Sequence, residues 1–542
     1  MEILIIIPAR GGSKGIPRKN LRTLAGKPLI YYGIKTSLQS KYNPDVYVSS
    51  DDDEILSISK QVGAKTIKRD PDFAKDITTL DPVIYDAYKQ AEILEEKQYD
   101  LIITLQPTSP LLKTSSLDDA ITLMVEDSKV NTVIAATDDT HLTWKKENNQ
   151  YLPNYKERVN RQYLTPVFKE TGGFLLTRSK VITANNRIGD NVKLHLLKDG
   201  ENIDIDTYED WNLCEYYLKR KKILFVVSGY QEIGLGHVYN TLLIANDILN
   251  HNIEFLVDSK SQLALDTIAS KNYTVFMQEN EDIIDDIKLL KPDVIINDRL
   301  DTEDAYIQTL KALGVKVINF EDLGTGAKKA DLVINAIYPE KEILPNHYFG
   351  HDYFVLRDEF MLSSPRTIAP KVKNILLTFG GVDPNNYTLK VLQSIYDYCL
   401  EHDISISVVA GFGYKHYDTL KVYSDINIYQ NASNISEHMK QANIIFTSAG
   451  RTTYEIASLT VPAIVLAQNE RELSHFFASE EYGFTNLGLG YNVSNEEILE
   501  VFKNLANNYE ARKQISTLMG KADLHSGRNR TLKLIKDVVE DS

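Results

Sequence analysis

Short apolar runs alternate with stretches of helical periodicity along the whole chain. In the first 220 residues, β-type runs are separated by segments in which apolar residues recur every three or four positions. This alternation predicts an α/β layered fold. The predicted strands of this part lie at 2–7, 45–49, 100–105, 131–136 and 173–177.

Two helices of this part have clear signals. A helix-like stretch at 28–39 follows the first strand and a glycine-rich loop. A second helix is predicted at 116–127, where Ser116 with Asp119 suits an N-cap. The residues predicted to share its buried face are Leu117, Ile121, Met124 and Val125.

The pattern of strands and helices starts again twice. After the charged stretch LKRKK at 218–222, strand-like runs at 223–229, 254–258, 274–277, 293–297 and 316–320 are separated by about one helix each, which suits βαβ units. A third start follows the loop-like segment 362–373, with runs in NILLTFGGVDP, SISVVAG, NIIFTSAG and PAIVLA. We therefore predict three α/β domains, at 1–220, 222–365 and 371–542.

Length and charge narrow the classes of function. A chain of 542 residues is too long for one hydrophobic core, which agrees with several domains. The net charge of −15 argues against a general nucleic-acid binder, because such proteins need a basic face. An anionic substrate would therefore be met by a local cluster of basic side chains and backbone N–H groups.

The remaining composition favours a cytoplasmic location. Cys214 and Cys399 are the two cysteines, and they lack the spacing of a disulfide framework or a structural zinc site. No apolar run reaches the ~18 residues that cross a bilayer, so no membrane partner is expected. The opening MEILIIIPAR is interpreted as a buried strand and not as a signal peptide.

The first candidate site is the basic, glycine-rich loop RGGSKGIPRKN at 10–20. Gly11, Gly12 and Gly15 would let the backbone approach a polyphosphate, and the basic side chains Arg10, Lys14 and Lys19 could neutralise it. The position directly after the first strand favours a nucleotide triphosphate site. A flexible basic surface loop is the alternative interpretation of the same residues.

A pair of carboxylates lies much later in the same part of the chain. Asp204 and Asp206 are two residues apart, so in an extended segment both would point to one face, between Ile203 and Ile205. This pattern suits a hard cation, which would offset the charge of the phosphates during transfer. The alternative is a solvated acidic turn.

Together these motifs resemble the CMP-sialic acid synthetases, with the CMP-Kdo synthetases more distant. The similarity covers nearly all of residues 1–215, and Lys113 stands where family members typically carry arginine. The segments that carry the resemblance are IPARGGSKGIPRKN, VSSDDDEI at 48–55, LQPTSPLL at 105–112, Arg161-Gln162, ETGGFLLT at 170–177 and IDIDTYED at 203–210.

The resemblance implies a reaction in which a nonulosonic acid attacks the α-phosphorus of CTP and pyrophosphate leaves. Gln106 and Arg161 would lie near the sugar acid, Asp204 and Asp206 would bind Mg²⁺, and a homodimer through this domain is suggested. The residues implied around the nucleotide and phosphates are Arg10, Ser13, Lys14, Lys19 and Asn20.

A second candidate site begins with GLGH at 234–237. The loop, which includes Gly236, would admit a diphosphate or a sugar close to the backbone, and His237 could act as a general base near neutral pH. The alternative for His237 is a helix cap or a satisfied polar group.

The segment TSAGRTTYE at 447–455 provides a matching feature in the third domain. Backbone N–H groups of the turn from Gly450 to Thr453 could hold a pyrophosphate, and Glu455 could accept two ribose hydroxyls. The alternative is a capped helix start in which Glu455 faces solvent.

This second half resembles the UDP-sugar hydrolases of pseudaminic acid biosynthesis, which have the two-lobed GT-B architecture. The resemblance implies that His237 activates water and that Gly450, Thr453 and Glu455 hold the nucleotide. This chain has Asn240 where the family usually has arginine, and Asn469-Glu470 where it usually has Asn-Gln. The matching segments are GLGH, YFVLRDEF at 353–360, FGGVDPNN at 379–386, TSAGRTTYE and LAQNERE at 466–472.

The main hypothesis is a bifunctional enzyme that releases UDP from a UDP-linked amino-sugar and activates the derived nonulosonic acid with CTP. A separate phosphoenolpyruvate-condensing synthase would act between the two steps. The alternatives are that the second half is a UDP-sugar glycosyltransferase, which would share the fold, or a non-catalytic nucleotide-sugar-binding module.

Overall fold

The computed structural model divides the chain into two compact units, Met1–Arg220 and Lys221–Ser542, called unit 1 and unit 2 below. The structure describes residues 1–540 except 13, 14, 76, 231, 232, 341, 412, 431 and 433. Among the described helices, none combines the length and the apolar character needed to cross a bilayer.

Unit 1 is built on a seven-stranded sheet. Its strand Ile3–Pro8 pairs in parallel with both neighbours, whereas Phe168–Arg178 is antiparallel to both of its neighbours. The strands in spatial order are Val192–Leu196, Thr132–Asp138, Phe168–Arg178, Leu101–Thr104, Ile3–Pro8, Asp45–Ser50 and Lys65–Lys68.

Helices cover both faces of this sheet. Leu4, Ile5, Ile6 and Ile7 are all fully buried, because a parallel strand in the centre of such a sheet is covered on both sides. The glycine-rich loop at 10–20 therefore follows a strand that packing holds in place. The α-helices of unit 1 are Leu29–Leu38, Asp53–Val62, Leu80–Glu95, Thr114–Glu126 and Tyr208–Lys219.

The helix predicted at 116–127 differs from the prediction at both ends. It begins at Thr114, and the cap residue Lys113 makes no side-chain cap bond, so the N-cap predicted at Ser116 and Asp119 is wrong. Leu117, Ile121 and Met124 are buried, but Val125 is 46% exposed. Val125 lies at the edge of the apolar stripe, since each helical residue turns the direction by about 100°.

Unit 2 contains two parallel sheets. The six-stranded sheet follows the order 3-2-1-4-5-6 of a doubly wound fold, and the seven-stranded sheet follows the same order with a seventh strand added at its end. The sheet of the first lobe has the order Thr274–Met277, Asn252–Val257, Lys222–Val227, Val294–Asp298, Lys316–Phe320, Leu332–Asn335 and His347–Phe349. The sheet of the second lobe has the order Ile426–Gln430, Ser405–Ala410, Asn374–Leu377, Ile444–Thr447, Ala463–Ala467 and Phe484–Leu489. The α/β fold class, with a two-lobed second half, is confirmed.

The last helix of unit 2 returns to the first lobe. Ile535 and Val539 pack in the same core as Ile223 and Phe225 of the first lobe's sheet. The predicted domain at 371–542 therefore needs a correction, because the helix buries its apolar face in the preceding domain.

The helices of unit 2 fall into two sets along the chain. Those before the second sheet are Gly236–Asp247, Gln262–Ala269, Ile283–Leu290, Asp304–Ala312 and Asp358–Met361. The later ones are Tyr387–Glu401, Tyr417–Leu420, Ile435–Gln441, Thr452–Ser458, Glu470–Leu473, Asn495–Asn507, Tyr509–Met519 and Gly527–Glu540.

Candidate active sites

The glycine-rich loop of unit 1 packs closely against the acidic residues Asp51 and Asp52. The N–H of Gly11 donates to Oδ1 of Asp51 at 3.0 Å, and a Cβ on Gly11 would lie 2.8 Å from a carboxylate oxygen of Asp52. No described atom lies within 4 Å of a Cβ built on Gly12, so this part of the loop faces open space. The predicted phosphate ligands Ser13 and Lys14 lie outside the described residues.

Lys19 joins this loop to the acidic pair. Its Nζ donates to the carbonyl oxygen of Ile205 at 2.6 Å and lies 3.4 Å from Oδ1 of Asp206. Buried Asn20 donates from Nδ2 to the carbonyl oxygen of Arg10 at 3.0 Å, which fixes the backbone where the loop begins. The structure thus brings Arg10, Lys19 and Asn20 to the same end of the sheet as Asp206.

The two carboxylates of the acidic pair have different surroundings. Asp204 is half-buried and Asp206 is exposed, with fully buried Ile205 between them. Burial raises the pKa of Asp204, and the negative charge of Asp206 adds to this shift. The buried Oδ1 of Asp204 has no hydrogen-bond partner among the described residues. A buried carboxylate oxygen without a partner costs free energy unless a cation or a hydrogen-bond donor reaches it.

The surroundings of Asp204 leave no room for a side chain at position 172. A Cβ on Gly172 would lie 2.9 Å from Oγ of Ser109 and 3.0 Å from Oδ1 of Asp204. Ser109 Oγ is also buried without a hydrogen-bond partner in the described part of the chain. Within the residues that the structure describes, no three histidine, cysteine, aspartate or glutamate side chains converge as a protein-only metal site.

A capping box that the sequence analysis missed holds the acidic pair in place. The N–H of Asp210 donates to Oγ1 of Thr207, and Oδ2 of Asp210 accepts from the N–H of Thr207 at 2.8 Å. The same oxygen accepts from the N–H of Asp206 at 3.1 Å. The T-x-x-D pattern at 207–210 was the available signal for it.

The two residues expected near the sugar acid lie in different surroundings. The N–H of Gln106 donates to the carbonyl oxygen of Gly172 at 3.2 Å, and Gly172 itself lies against Asp204 of the acidic pair. Arg161 begins the short helix Arg161–Tyr163, and its half-exposed guanidinium lies 3.7 Å from Oδ2 of Asp138.

The second site lies where the strand order of the first lobe reverses. His237 follows the strand Lys222–Val227, and Asp298 ends the adjacent strand Val294–Asp298. In doubly wound sheets, ligands bind at this point, outside the carboxyl ends of the strands. Gly236 immediately precedes His237 and begins the helix Gly236–Asp247.

His237 is oriented by a buried carboxylate. Its Nδ1–H donates to Oδ1 of Asp298 at 2.5 Å, and the Asp298 side chain is fully buried. Nδ2 of Asn240 donates to the other oxygen of Asp298 at 2.7 Å. Since a carboxylate only accepts, Nδ1 carries the proton of this bond, and in the neutral ring Nε2 of His237 is then the acceptor, as a general base requires. The sequence analysis missed Asp298.

In the second lobe, the predicted nucleotide turn is firmly held. Oγ1 of Thr453 donates to the carbonyl oxygen of Gly450 at 2.8 Å. Nε of Arg357 donates to Oε1 of Glu455 at 2.6 Å, and the Glu455 side chain is 11% exposed. Glu455 therefore does not face solvent, and the structure adds Arg357 to this site.

Two further side chains that the sequence analysis missed support the backbone of the same turn. Oε2 of Glu472 accepts from the N–H groups of Ala449 and Gln468, and burial raises the pKa of Glu472 to about 7. Nδ1–H of His475 donates to the carbonyl oxygen of Ala449 at 2.8 Å, and burial lowers the pKa of His475 to about 4.

Comparisons with known proteins agree with the first site. The family model described as Cytidylyltransferase matches residues 4–221. The pseudaminic acid cytidylyltransferase of Campylobacter jejuni is 34% identical over 238 residues, which cover 42% of this chain and 98% of that protein. The chain belongs to the cytidylyltransferase family. The resemblance inferred for residues 1–215 is thereby confirmed.

A relative similar along nearly the whole chain is known from Helicobacter pylori. It is named pseudaminic acid cytidylyltransferase and UDP-2,4-diacetamido-2,4,6-trideoxy-beta-L-altropyranose hydrolase. It is 23% identical over 532 residues, which cover 93% of this chain and 95% of that protein. The resemblance to a cytidylyltransferase fused to a UDP-sugar hydrolase is confirmed by this match.

A third relative is an uncharacterized protein of Methanocaldococcus jannaschii. It is 36% identical over 275 residues, or 46% of this chain. The match spans 56% of the length of that relative.

Proposed function

We propose that unit 1 transfers CMP from CTP to a nonulosonic acid and releases pyrophosphate. The observation that carries this proposal is the position of Lys19, whose ammonium reaches from the glycine-rich loop to the acidic pair. The loop offers backbone N–H groups and positive charge to a triphosphate, and the acidic pair offers oxygen ligands to a cation.

In the proposed step, the anomeric hydroxyl oxygen attacks the α-phosphorus, the bond to the bridging oxygen breaks, and pyrophosphate leaves with the electron pair. Arg10 and Lys19 stabilise the charge that grows on the phosphate oxygens, with Ser13 and Lys14 expected to assist. Asn20 orders the loop backbone. Gln106 and Arg161 are proposed to orient the sugar acid, so that the two reacting atoms meet in line.

Asp204 and Asp206 are proposed to hold Mg²⁺. Two carboxylates suit this ion, which usually takes one or two protein carboxylates and completes its shell with phosphate oxygens and water. Oδ1 of Asp204, which has no hydrogen-bond partner among the described residues, is available as an oxygen ligand to the ion. When bound, the ion would neutralise charge on the triphosphate.

We infer that unit 2 hydrolyses a UDP-linked amino-sugar. Nε2 of His237 would take a proton from water, the water oxygen would bond to the anomeric carbon, and UDP would leave with the electron pair of the broken bond. The bond between His237 and Asp298 supports this role, because it fixes the ring and its tautomer. Gly236, Gly450, Thr453 and Glu455 are proposed to hold the nucleotide-sugar.

Two assays on one preparation test both proposals. The first follows CMP-sugar formation from CTP and a nonulosonic acid, with Mg²⁺ and with chelator. The second follows UDP release from the UDP-sugar named for the Helicobacter relative, in water alone and with sugar acceptors. UDP release in water supports a hydrolase, release only with an acceptor supports a glycosyltransferase, and binding without release supports a non-catalytic module.

The two reactions require a third enzyme between them. Hydrolysis yields a free amino-sugar, whereas cytidylyl transfer consumes a nine-carbon acid, so a separate synthase must add the three carbons of phosphoenolpyruvate. We propose that this chain works in the cytoplasm, where CTP and phosphoenolpyruvate are made, with no nucleic-acid or membrane partner.

A homodimer through unit 1 is proposed from its exposed apolar side chains. The hairpin formed by Trp144–Glu147 and Gln150–Pro153 exposes Trp144 and Tyr151 by 55% and 69%. The edge strand Val192–Leu196 exposes alternate apolar residues as well. Such patches commonly mark interaction surfaces. Analytical ultracentrifugation of the parent and of Trp144→Ser with Tyr151→Ser tests this, since a dimer that persists in the variant would exclude this surface.

A further inference from the structure

The side chain of Arg451 connects the two lobes of unit 2. Arg451 lies in the turn after the strand Ile444–Thr447 of the second lobe. Its Nη2 nevertheless donates to Oδ1 of Asn240 in the first lobe at 2.7 Å. Its Nη1 lies 3.4 Å from Oε1 of buried Glu321, also in the first lobe. The nucleotide turn therefore directs its charged side chain towards the histidine site.

An aromatic stack limits where this guanidinium can lie. The guanidinium carbon of Arg451 is 4.6 Å from the ring centroid of Phe354. Phe354 stacks on Tyr454 at 4.0 Å with an interplanar angle of 4°, and Tyr454 stacks on Phe477 at 4.2 Å. A planar cation held over such a ring is oriented before it makes its hydrogen bonds.

The hydrogen bonds continue from Arg451 to the imidazole without a break. Asn240 accepts from Arg451 at Oδ1 and donates from Nδ2 to Asp298, which in turn accepts from His237. A guanidinium can only donate and a carboxylate can only accept, so the chemistry of the neighbours fixes which end of the amide faces which group. Asn240 and Asp298 are 2% and 0% exposed, so water competes little for these bonds.

We propose that Arg451 is a positioning residue for His237, acting from the opposite lobe through Asn240 and Asp298. This inference rests on the proposed hydrolase function of unit 2. The base is then held in its working orientation when the lobe that carries the nucleotide turn is docked on the lobe that carries the histidine. Arg451 acts through other residues and is not assigned a contact with substrate.

The first test is a double-mutant cycle with Arg451→Met and Asn240→Ala in the full chain. Each single variant should lower kcat for UDP release about 10- to 100-fold, the loss expected for a misplaced catalytic group. The dissociation constant for UDP should change less than about threefold, because the turn's backbone remains. The double variant should lose no more than the worse single variant, since both changes break one connection. Losses that multiply, or an unchanged kcat in Arg451→Met, would overturn the inference.

Three controls separate the inference from the function on which it rests. UDP release by the parent, and its loss in His237→Asn, test the hydrolase proposal alone. Arg530→Met is the matched arginine control, because Arg530 pairs with Asp523 and Asp352 at the surface. This variant should keep the parent's kcat. Arg451→Lys keeps the charge but lacks the planar fork that reaches both Asn240 and Glu321, and it replaces Arg451→Met in the cycle if the latter does not fold.

An NMR spectrum tests the connection between Arg451 and His237 without any enzymatic turnover. With ¹⁵N-labelled histidine in the full chain, His237 is assigned by its absence in His237→Asn. The parent should show one tautomer with a proton on Nδ1, and Arg451→Met should show a mixture of tautomers or faster exchange of that proton. Identical His237 signals in the two proteins would overturn the inference, even if the parent released no UDP.

Discussion

Nζ of Lys19 lies 2.6 Å from the carbonyl oxygen of Ile205, although the two residues are 186 positions apart. This bond links the loop that would hold the triphosphate to the segment that would hold the cation. We expect Lys19→Ala to raise the KM for CTP at least tenfold, because a partly buried charge-assisted contact and the proposed phosphate ligand are lost together (about 1.4 kcal/mol per tenfold). Initial rates against CTP measure this, and UDP release in the same sample should stay at the parent's rate. A parallel fall in both activities would contradict two independent sites.

Asp206→Asn should reduce CMP transfer by at least about 100-fold and leave the fold intact. An amide is a weak ligand for a hard cation, and the Asp206 side chain is 77% exposed, so little packing depends on it. The measurement is the rate against Mg²⁺ concentration. The matched control is Glu209→Gln, an acidic residue in the next turn that has no assigned role. If Asp206→Asn shows the same Mg²⁺ dependence as the parent, Asp206 is excluded as a ligand of the ion.

His237→Asn should lower kcat for UDP release by about 10²- to 10⁴-fold, the usual contribution of a general base. UDP affinity should change little, because Arg357 still holds Glu455 and Glu472 still supports the turn. CMP-sugar formation in unit 1 should be unchanged. The claim fails if this variant cleaves the UDP-sugar as fast as the parent.

Asp298→Asn tests the orientation of the imidazole. The amide would turn one donor towards His237 or Asn240, so at least one of the bonds at 2.5 and 2.7 Å would be lost. We expect kcat for UDP release to fall about 10- to 1,000-fold with a smaller change in KM. A Michaelis–Menten comparison with the parent decides this, and a change in KM alone would assign Asp298 to substrate binding.

Glu321 should make the stability of the protein depend on pH. Burial raises the pKa of Glu321 from 4.5 to about 7, partly offset by Arg451. The folded state then holds this proton more tightly than the unfolded state, so the stabilisation is complete below pH 4.5 and is lost as the pH rises to about 7. The loss is of order 3 kcal/mol. Relative to the parent, Glu321→Gln should have a higher free energy of unfolding at pH 8 than at pH 5, as measured by denaturant unfolding. An equal difference from the parent at both values would contradict the assignment.

Local patterns in the sequence predict the strands and loops of both candidate sites. Two residues that these patterns do not predict, Asp298 and Arg357, are partners of residues far away in the sequence. The strand Ile3–Pro8 and the turn before Thr452–Ser458 follow from apolar runs that end in glycine-containing loops. The bond between His237 and Asp298 spans 61 positions, and that between Arg357 and Glu455 spans 98. Such partners are set by which strands become neighbours in the sheet, and periodicity in one segment does not contain that information.

The antiparallel strand Phe168–Arg178 illustrates the same limit. Its apolar run at 173–177 predicted a strand, but its direction depends on the connection that precedes it. The neighbouring strands Leu101–Thr104 and Thr132–Asp138 accept it in antiparallel register, and Gly172 within it then lies against Asp204.

The return of helix Gly527–Glu540 to the first lobe means that the chain passes between the two lobes twice. The first lobe is discontinuous in sequence, and a truncation before residue 527 would strip Ile535 and Val539 from its interior. Arg528 secures the crossing through its bond to Asp247 at 2.8 Å. Because two chain segments cross between the lobes, sliding of one lobe along the other is restrained. Rotation about the line that joins the two crossings is the movement that they restrain least.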